Sequence, residues 1–189
     1  YRLDLDYRGR TNRLSGTATI EATASIDLRG VSLDLIGMRA TRVRVDGVSP
    51  AVQRQSAQHL QIGFGRDVAA GETFTIEVRY EGSPAPRRSP WGAIGWEELT
   101  DGALVANQPT GAATWFPCND RPDNRARMRM RIATDREYTA VAVGTRILDQ
   151  TQGRRRVVEY VCDVPTATYL AAVHVGRYGR TEIDAPVPV

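Results

Sequence analysis

Lysine is absent from this sequence of 189 residues, and cysteine and histidine occur only twice each. The four candidate soft metal ligands, Cys118, Cys162, His59 and His174, are scattered along the chain. A structural zinc site needs four ligands at short, regular spacings, so the zinc-finger classes are excluded. We expect two buried free thiols, with a single disulfide as the alternative.

Long apolar runs are also absent, since no stretch approaches the roughly 20 residues that a membrane helix needs. The first residues, Tyr1–Asp6, alternate as a strand does and do not resemble a signal peptide. We therefore expect no membrane partner. The few cysteines favour a cytoplasmic location by default. The start codon lies outside the sequence, so the possibility that a leader peptide was removed before Tyr1 stays open.

The positive charge shows no concentrated patch of the kind that binds nucleic acid. All 25 basic residues are arginine, and the net charge is only +3. The densest group, Arg125–Arg131, alternates arginine with alanine and methionine, which predicts a strand with one solvated face. Arg154–Arg156 follows Gly153 and is typical of a hairpin tip. We expect no nucleic-acid partner.

Alternation with a period of two recurs along the chain, and no segment has a helical apolar stripe of ten residues. Gly, Pro and Asp-Gly turns separate the runs. The predicted class is all-β, with antiparallel curved sheets or a sandwich. The predicted strands lie at residues 3–7, 14–24, 31–35, 41–45, 59–62, 73–80, 125–133, 138–143, 156–162 and 168–175.

The longest stretch without this pattern runs from Gly82 to Gly102 and is expected to be irregular. It contains Trp91 and Trp96, which we interpret as packing residues or, alternatively, as part of a functional loop. Alternation ends near the C-terminus. We expect one domain at residues 1–180 and, at residues 181–189, a linker toward a following domain that this sequence lacks.

Catalytic motifs are missing. The sequence has no HExxH, Gly-x-Ser-x-Gly, P-loop or dinucleotide fingerprint. His59 and His174 both fall in predicted strands, where we interpret them as strand residues. We predict no catalytic residue and no metal ligand in this stretch, and therefore no activity of its own.

One segment carries a specific pattern, Asn107–Ala126. Within it, Phe116, Pro117, Cys118, Asp120 and Pro122 match Phe-Pro-Cys-x-Asp-x-Pro, and Gln108 stands nine residues before Pro117. This pattern resembles that of the aminopeptidase N family of zinc metallopeptidases, which includes the leukotriene-hydrolase type. The similarity extends over nearly the whole chain.

The resemblance implies a saddle-shaped N-terminal β domain that caps the active site of an enzyme removing N-terminal residues from peptides. The zinc would lie in the following catalytic domain, because this chain lacks both HExxH and the family's Gly-x-Met-Glu-Asn loop. The implied partners are a peptide substrate and that catalytic domain. At the Gln108 position the family places a Gln or Glu that helps to hold the first residue of the substrate near its α-amine.

Other residues of the segment are expected to be structural. Trp115 and Phe116 would anchor it in the core, and Asp120, Arg121 and Pro122 would build the turn that aims it. Two positions depart from the family. Some relatives have a second Gln where this chain has Ala106, which leaves fine substrate preference open, and many have Lys where it has Arg125.

Two other function classes are weighed against the aminopeptidase domain. The first is a non-catalytic interaction or scaffold module of the same fold. The second is a free-standing sandwich that binds a carbohydrate or peptide through Trp91 and Trp96. The presence of HExxH with its distal Glu in an adjoining domain would favour the enzyme.

Overall fold

The computed structural model describes residues 1–179 and residue 181, so the linker expected at 181–189 lies outside the described residues apart from Thr181. The described chain is built almost entirely of strands, with three short 3-10 helices at Gly9–Thr11, Ala112–Thr114 and Thr168–Leu170. The strands are β1 (Arg2–Arg8), β2 (Arg13–Thr23), β3 (Leu28–Asp34), β4 (Met38–Val45), β5 (Val52–Gln55), β6 (His59–Val68), β7 (Thr73–Gly82), β8 (Arg87–Ser89), β9 (Gly92–Leu99), β10 (Gly102–Ala106), β11 (Arg125–Asp135), β12 (Thr139–Ala142), β13 (Thr145–Gln152), β14 (Arg155–Ala167) and β15 (Val173–Gly176).

The strands form three sheets, which confirms the all-β class. A seven-stranded sheet has the order β13-β14-β11-β1-β2-β7-β4, a five-stranded sheet the order β12-β15-β10-β9-β8, and a three-stranded sheet the order β3-β6-β5. Almost all pairs are antiparallel, as expected. The pair β1 and β11 departs from this rule and runs parallel. No helix of the described residues is long and apolar enough to cross a membrane.

Alternation in the sequence produces the core directly. In β11, Met128, Met130 and Ile132 are at most 2% exposed, whereas the arginines between them face the other side of the sheet. There Arg129 pairs with Glu159, and Arg131 with Asp4. The solvated arginine face predicted for β11 is thus confirmed. Of the three arginines predicted at a hairpin tip, Arg154 lies in the turn between β13 and β14, whereas Arg155 and Arg156 already belong to β14.

The expectation of an irregular stretch from Gly82 to Gly102 is wrong. It contains β8 and β9, and β10 begins at its end. Gly95 in β9 has φ +112, and a Cβ there would lie 2.3 Å from Thr114 Oγ1. Gly95 therefore serves close packing within a strand and does not mark a loop. Trp96 is fully buried and is a packing residue, whereas Trp91 is 73% exposed.

Two further expectations need correction. The strand expected at residues 168–175 begins instead as the 3-10 helix Thr168–Leu170, and only β15 is extended.

Cys118 is a buried free thiol as expected, but Cys162 is free and only half-buried. Its Sγ lies 3.5 Å from Thr166 Oγ1, near the C-terminal end of β14.

Candidate functional site

The loop after β10 carries the one residue for which the sequence predicts a binding role. Gln108 is exposed and stands one residue after the buried Asn107. Its peptide bond to Pro109 is cis. Among the described residues, none forms a hydrogen bond with the Gln108 side chain. The Gln108 amide is therefore free to contact a group from outside this chain.

Asn107 fastens the start of this loop to the core. Its Nδ2 donates to the carbonyl oxygen of Ala171 over 2.7 Å, and its Oδ1 accepts from Trp115 Nε1 over 3.3 Å. Its backbone oxygen accepts from the N–H of Gly111 over 2.6 Å, which closes the turn around Gln108. Since Asn107 is only 4% exposed, these bonds lie away from water.

Gly111 ends the turn at a point where no side chain fits. A Cβ there would lie 2.8 Å from the backbone nitrogen of Gly95 and 2.9 Å from Cα of Asn107. The hydroxyl of Thr114 donates to the Gly111 carbonyl over 2.8 Å and accepts from the N–H of Trp96 over 3.0 Å. The turn is thereby packed directly against β9.

Aromatic packing holds the next part of the segment. Trp115 and Phe116 are fully buried, with ring centroids 4.4 Å apart, so their predicted anchoring role is confirmed. Trp115 also lies 6.0 Å from Trp96, and Phe116 lies 5.8 Å from Tyr1. The segment thus joins the five-stranded sheet to the start of β1.

Asp120 stabilises the segment with both carboxylate oxygens. One accepts from the N–H of Ala113 over 3.2 Å and the other from the Thr168 hydroxyl over 2.9 Å. Burial raises the pKa of Asp120 above its ordinary value, and the two hydrogen bonds oppose this shift. Arg121 pairs with Asp123 on the surface over 3.0 Å. The structural role predicted for Asp120 is thus confirmed, whereas the Arg121 side chain forms a surface contact, and the roles predicted for Arg121 and Pro122 stay predictions.

The end of β3 holds the same segment from the other side. Asp34 and Cys118 exchange two backbone hydrogen bonds, of 2.7 and 3.1 Å. The Asp34 carboxylate accepts from the N–H of Asp120 over 2.9 Å and lies 3.0 Å from Nδ1 of His59. Burial raises the pKa of the Cys118 thiol well above its ordinary value, so this cysteine is not a nucleophile.

A cavity of about 200 Å³ adjoins the loop, with Asp34, His59, Arg87 and Asp120 among its lining. Arg87 donates to the hydroxyl of Thr110, two residues after Gln108. Positive and negative groups thus face one another across a small space. This mixture favours an internal charge network over a pocket for a charged ligand.

The described residues do not fit a zinc ion. They contain no group of three or more His, Cys, Asp or Glu side chains placed to hold a metal. His59 begins β6 and pairs with Asp34, while His174 in β15 receives a long contact of 3.5 Å from the N–H of Val105. Both histidines lie in strands, as the sequence predicted.

Two residues that shape the loop escaped the sequence prediction. The role of Asn107 could not be predicted, because no sequence pattern marks an amide side chain that will be buried. Asp34 bonds to a residue 86 positions away, which no local signal reveals. The nearest available hint was that Asn107 stands at the start of the segment Asn107–Ala126.

Comparison with known proteins places these features in a family. A family model described as Peptidase M1 N-terminal domain matches residues 1–170. A leucyl aminopeptidase of Saccharolobus solfataricus is 22% identical over all of this chain and 23% of its own length. Aminopeptidase M1-B of Oryza sativa subsp. japonica is 24% identical over 89% of this chain and 20% of its own length.

Solved structures agree with this match. An M1 zinc metallopeptidase from Deinococcus radiodurans has a TM-score of 0.87 at 25% identity, over 93% of this chain and 41% of that one. A mutant of the Deinococcus enzyme bound to a Tyr-Ser-Ala substrate gives the same TM-score and coverage at 26% identity. The chain therefore spans less than a quarter of the curated relatives that it matches, and less than half of these solved chains.

Proposed function

Because the chain belongs to the Peptidase M1 N-terminal domain family, we propose that it caps the active site of a zinc aminopeptidase that removes N-terminal residues from peptides. Its partners are the peptide substrate and a catalytic domain of the same polypeptide. The zinc and its HExxH motif lie in that catalytic domain, and the present stretch is inactive alone. The names of the relatives, each an aminopeptidase or M1 metallopeptidase, support this proposal.

The observation that carries the proposal is the exposed, unbonded amide of Gln108 on a loop that is otherwise fixed. Its neighbours Asn107 and Gly111 are buried, and the loop is bonded at both ends. A rigid support of this kind suits a residue that must meet a ligand at a set place. Gln108 also keeps the nine-residue spacing to Pro117.

The chemistry of an amide defines what Gln108 does there. Its carbonyl oxygen accepts a hydrogen bond from the α-ammonium of the peptide, which orients the first residue. This bond is weaker than the one a carboxylate would form, because the amide brings no charge. The residues of this chain therefore position the substrate, and a zinc ion bound in the catalytic domain would supply the activated water.

Replacement of Gln108 tests this role. In the full-length protein, Gln108→Ala should lower kcat/KM for a dipeptide or amino-acid amide about tenfold or more. Gln53→Ala is the matched control, since Gln53 is also exposed but lies on the edge strand β5. An unchanged kcat/KM in Gln108→Ala would contradict the substrate-binding role of Gln108. A full-length protein without zinc or peptidase activity would instead indicate the scaffold module.

The cytoplasmic location expected from the few cysteines belongs to the same proposal. A reducing compartment suits Cys118 and Cys162, since both are free in the described structure. Fractionation of the source cells tests it, and recovery of the protein outside the cytoplasm would contradict it.

A further inference from the structure

We propose that Asn107 is a positioning residue for substrate binding, which acts by fixing the direction in which Gln108 points. The proposal rests on the proposed function of Gln108. It concerns a residue that contacts no substrate itself. Asn107 instead couples the binding loop to two distant parts of the core.

The contacts of Asn107 reach three separate segments. Its Nδ2 bonds to Ala171, just before β15, and its Oδ1 to Trp115, just after the 3-10 helix. Its backbone oxygen receives the N–H of Gly111. With a side chain that is donor and acceptor at once, Asn107 cannot rotate without breaking at least one buried bond.

This restraint acts on Gln108 through the shared peptide unit. Consecutive Cα atoms stand a fixed distance of about 3.8 Å apart, so a rotation at Asn107 carries the next residue with it. Because the Gln108 side chain is long, a small rotation of the backbone displaces its terminal amide by a larger distance. A displacement of about 1 Å at a positioning group can reduce the rate about 100-fold.

Only an amide serves both partners of Asn107. Asn107→Asp keeps the shape and the acceptor for Trp115, but it loses the donor to Ala171. It also sets a carboxylate oxygen against the Ala171 carbonyl oxygen, and two acceptors repel. The loop must then shift away from Ala171, and Gln108 shifts with it.

Asn12 provides a closely matched control. It too is buried, at 8% exposure, with Nδ2 donating to a backbone carbonyl, that of Pro84, over 3.0 Å. Its Oδ1 accepts from a ring group as well, the Tyr7 hydroxyl, over 3.2 Å. Asn12→Asp therefore makes the same chemical change at a site that does not contact the Gln108 loop.

The test is a double-mutant cycle in the full-length protein, with kcat/KM for a dipeptide substrate and thermal unfolding measured on each variant. Asn107→Asp should lower kcat/KM about tenfold, and adding it to Gln108→Ala should lower kcat/KM by less than about twofold more. Asn12→Asp should lower the melting temperature similarly but leave kcat/KM within about twofold of the wild type. Where Asn107→Asp fails to fold, the uncharged Asn107→Ala takes its place in the cycle.

The outcomes separate this inference from the proposal on which it rests. If Gln108→Ala lowers kcat/KM and the Asn107 variant does not, Asn107 is structural only and the inference is overturned. If the two losses multiply in the double variant, Asn107 acts independently of Gln108, which also overturns it. If Gln108→Ala itself leaves kcat/KM unchanged, the proposed function fails and the inference falls with it.

Discussion

The backbone N–H of Asp120 donates a hydrogen bond of 2.9 Å to the carboxylate of Asp34, a residue 86 positions earlier in the chain. Two backbone bonds between Asp34 and Cys118 lie beside it. The three-stranded sheet, through the end of β3, thereby holds the segment that ends the Gln108 loop.

Removal of the Asp34 carboxylate should destabilise the chain. Asp34→Ala leaves the N–H of Asp120 without its acceptor and removes the partner of His59, so we expect a loss of about 2 kcal/mol in the free energy of unfolding. Urea unfolding of the chain measures it. Asp67→Ala is the control, because Asp67 pairs with Arg29 where both side chains are at least 74% exposed. The free energy of unfolding of Asp67→Ala should fall by less than about 0.5 kcal/mol. Equal losses in the two variants would contradict the role of Asp34.

A methyl group at Gly111 should strain the loop. A Cβ at this position would meet two backbone atoms, of Gly95 and Asn107, at less than 3.0 Å, so Gly111→Ala forces the backbone apart. We expect a loss of about 2 kcal/mol in the free energy of unfolding. Gly179→Ala, whose Cβ would have no atom within 4 Å, should be nearly neutral in the same urea titration. Wild-type stability of Gly111→Ala would show that the turn has more space than the structure gives it.

A negative charge at position 108 should strengthen the hold on a peptide α-ammonium. In the full-length protein, Gln108→Glu should lower KM about fivefold at low salt, because a charge-assisted hydrogen bond is roughly twice as strong as a neutral one. The gain should shrink as salt is added. Gln53→Glu makes the same change in net charge on β5 and should leave KM unaltered. The assignment of Gln108 would be contradicted if both variants changed KM alike.

His174 should make the chain less stable in mild acid. Burial lowers the pKa of His174 below its ordinary value of 6.5, so the unfolded chain takes up a proton at a higher pH than the folded one. The stability that its neutral form contributes is complete above pH 6.5 and is lost as the pH falls through the lowered pKa. Urea titrations at pH 8 and pH 5 should show a smaller difference in His174→Asn than in the wild type. An equal difference in the two proteins would show that groups other than His174 cause the acid sensitivity.

Alternation was sufficient to predict β11 and the face that it turns toward the core, but it did not predict β10 or β13. Met128, Met130 and Ile132 are buried as their spacing requires, and the arginines between them are solvated. The pattern gave the strand and its orientation together, because a period of two fixes which face each residue takes. The pattern could not predict the parallel pairing of β1 with β11, because this pairing joins two strands that lie far apart in the sequence.

The strands between Gly82 and Gly102 were missed because their glycines and prolines suggested turns. Gly95 is required by the close approach of Thr114, and Gly102 by the carbonyl of Val175, 2.0 Å from where its Cβ would lie. Those contacts are tertiary, so the local sequence around Gly95 and Gly102 does not show that packing requires glycine there. The same holds for the site. The motif points to Gln108 as the residue that we propose for binding, whereas the contacts of Asn107 and Asp34 with this segment are formed only in the folded chain.

The most direct test of the account is the structure of the full-length protein with a peptide bound at its zinc site. The account predicts the Gln108 side-chain oxygen about 3 Å from the α-amine nitrogen of the first peptide residue, with Asn107 still bonded to Ala171. A peptide amine far from Gln108, or a catalytic domain docked on another face of this β domain, would contradict it.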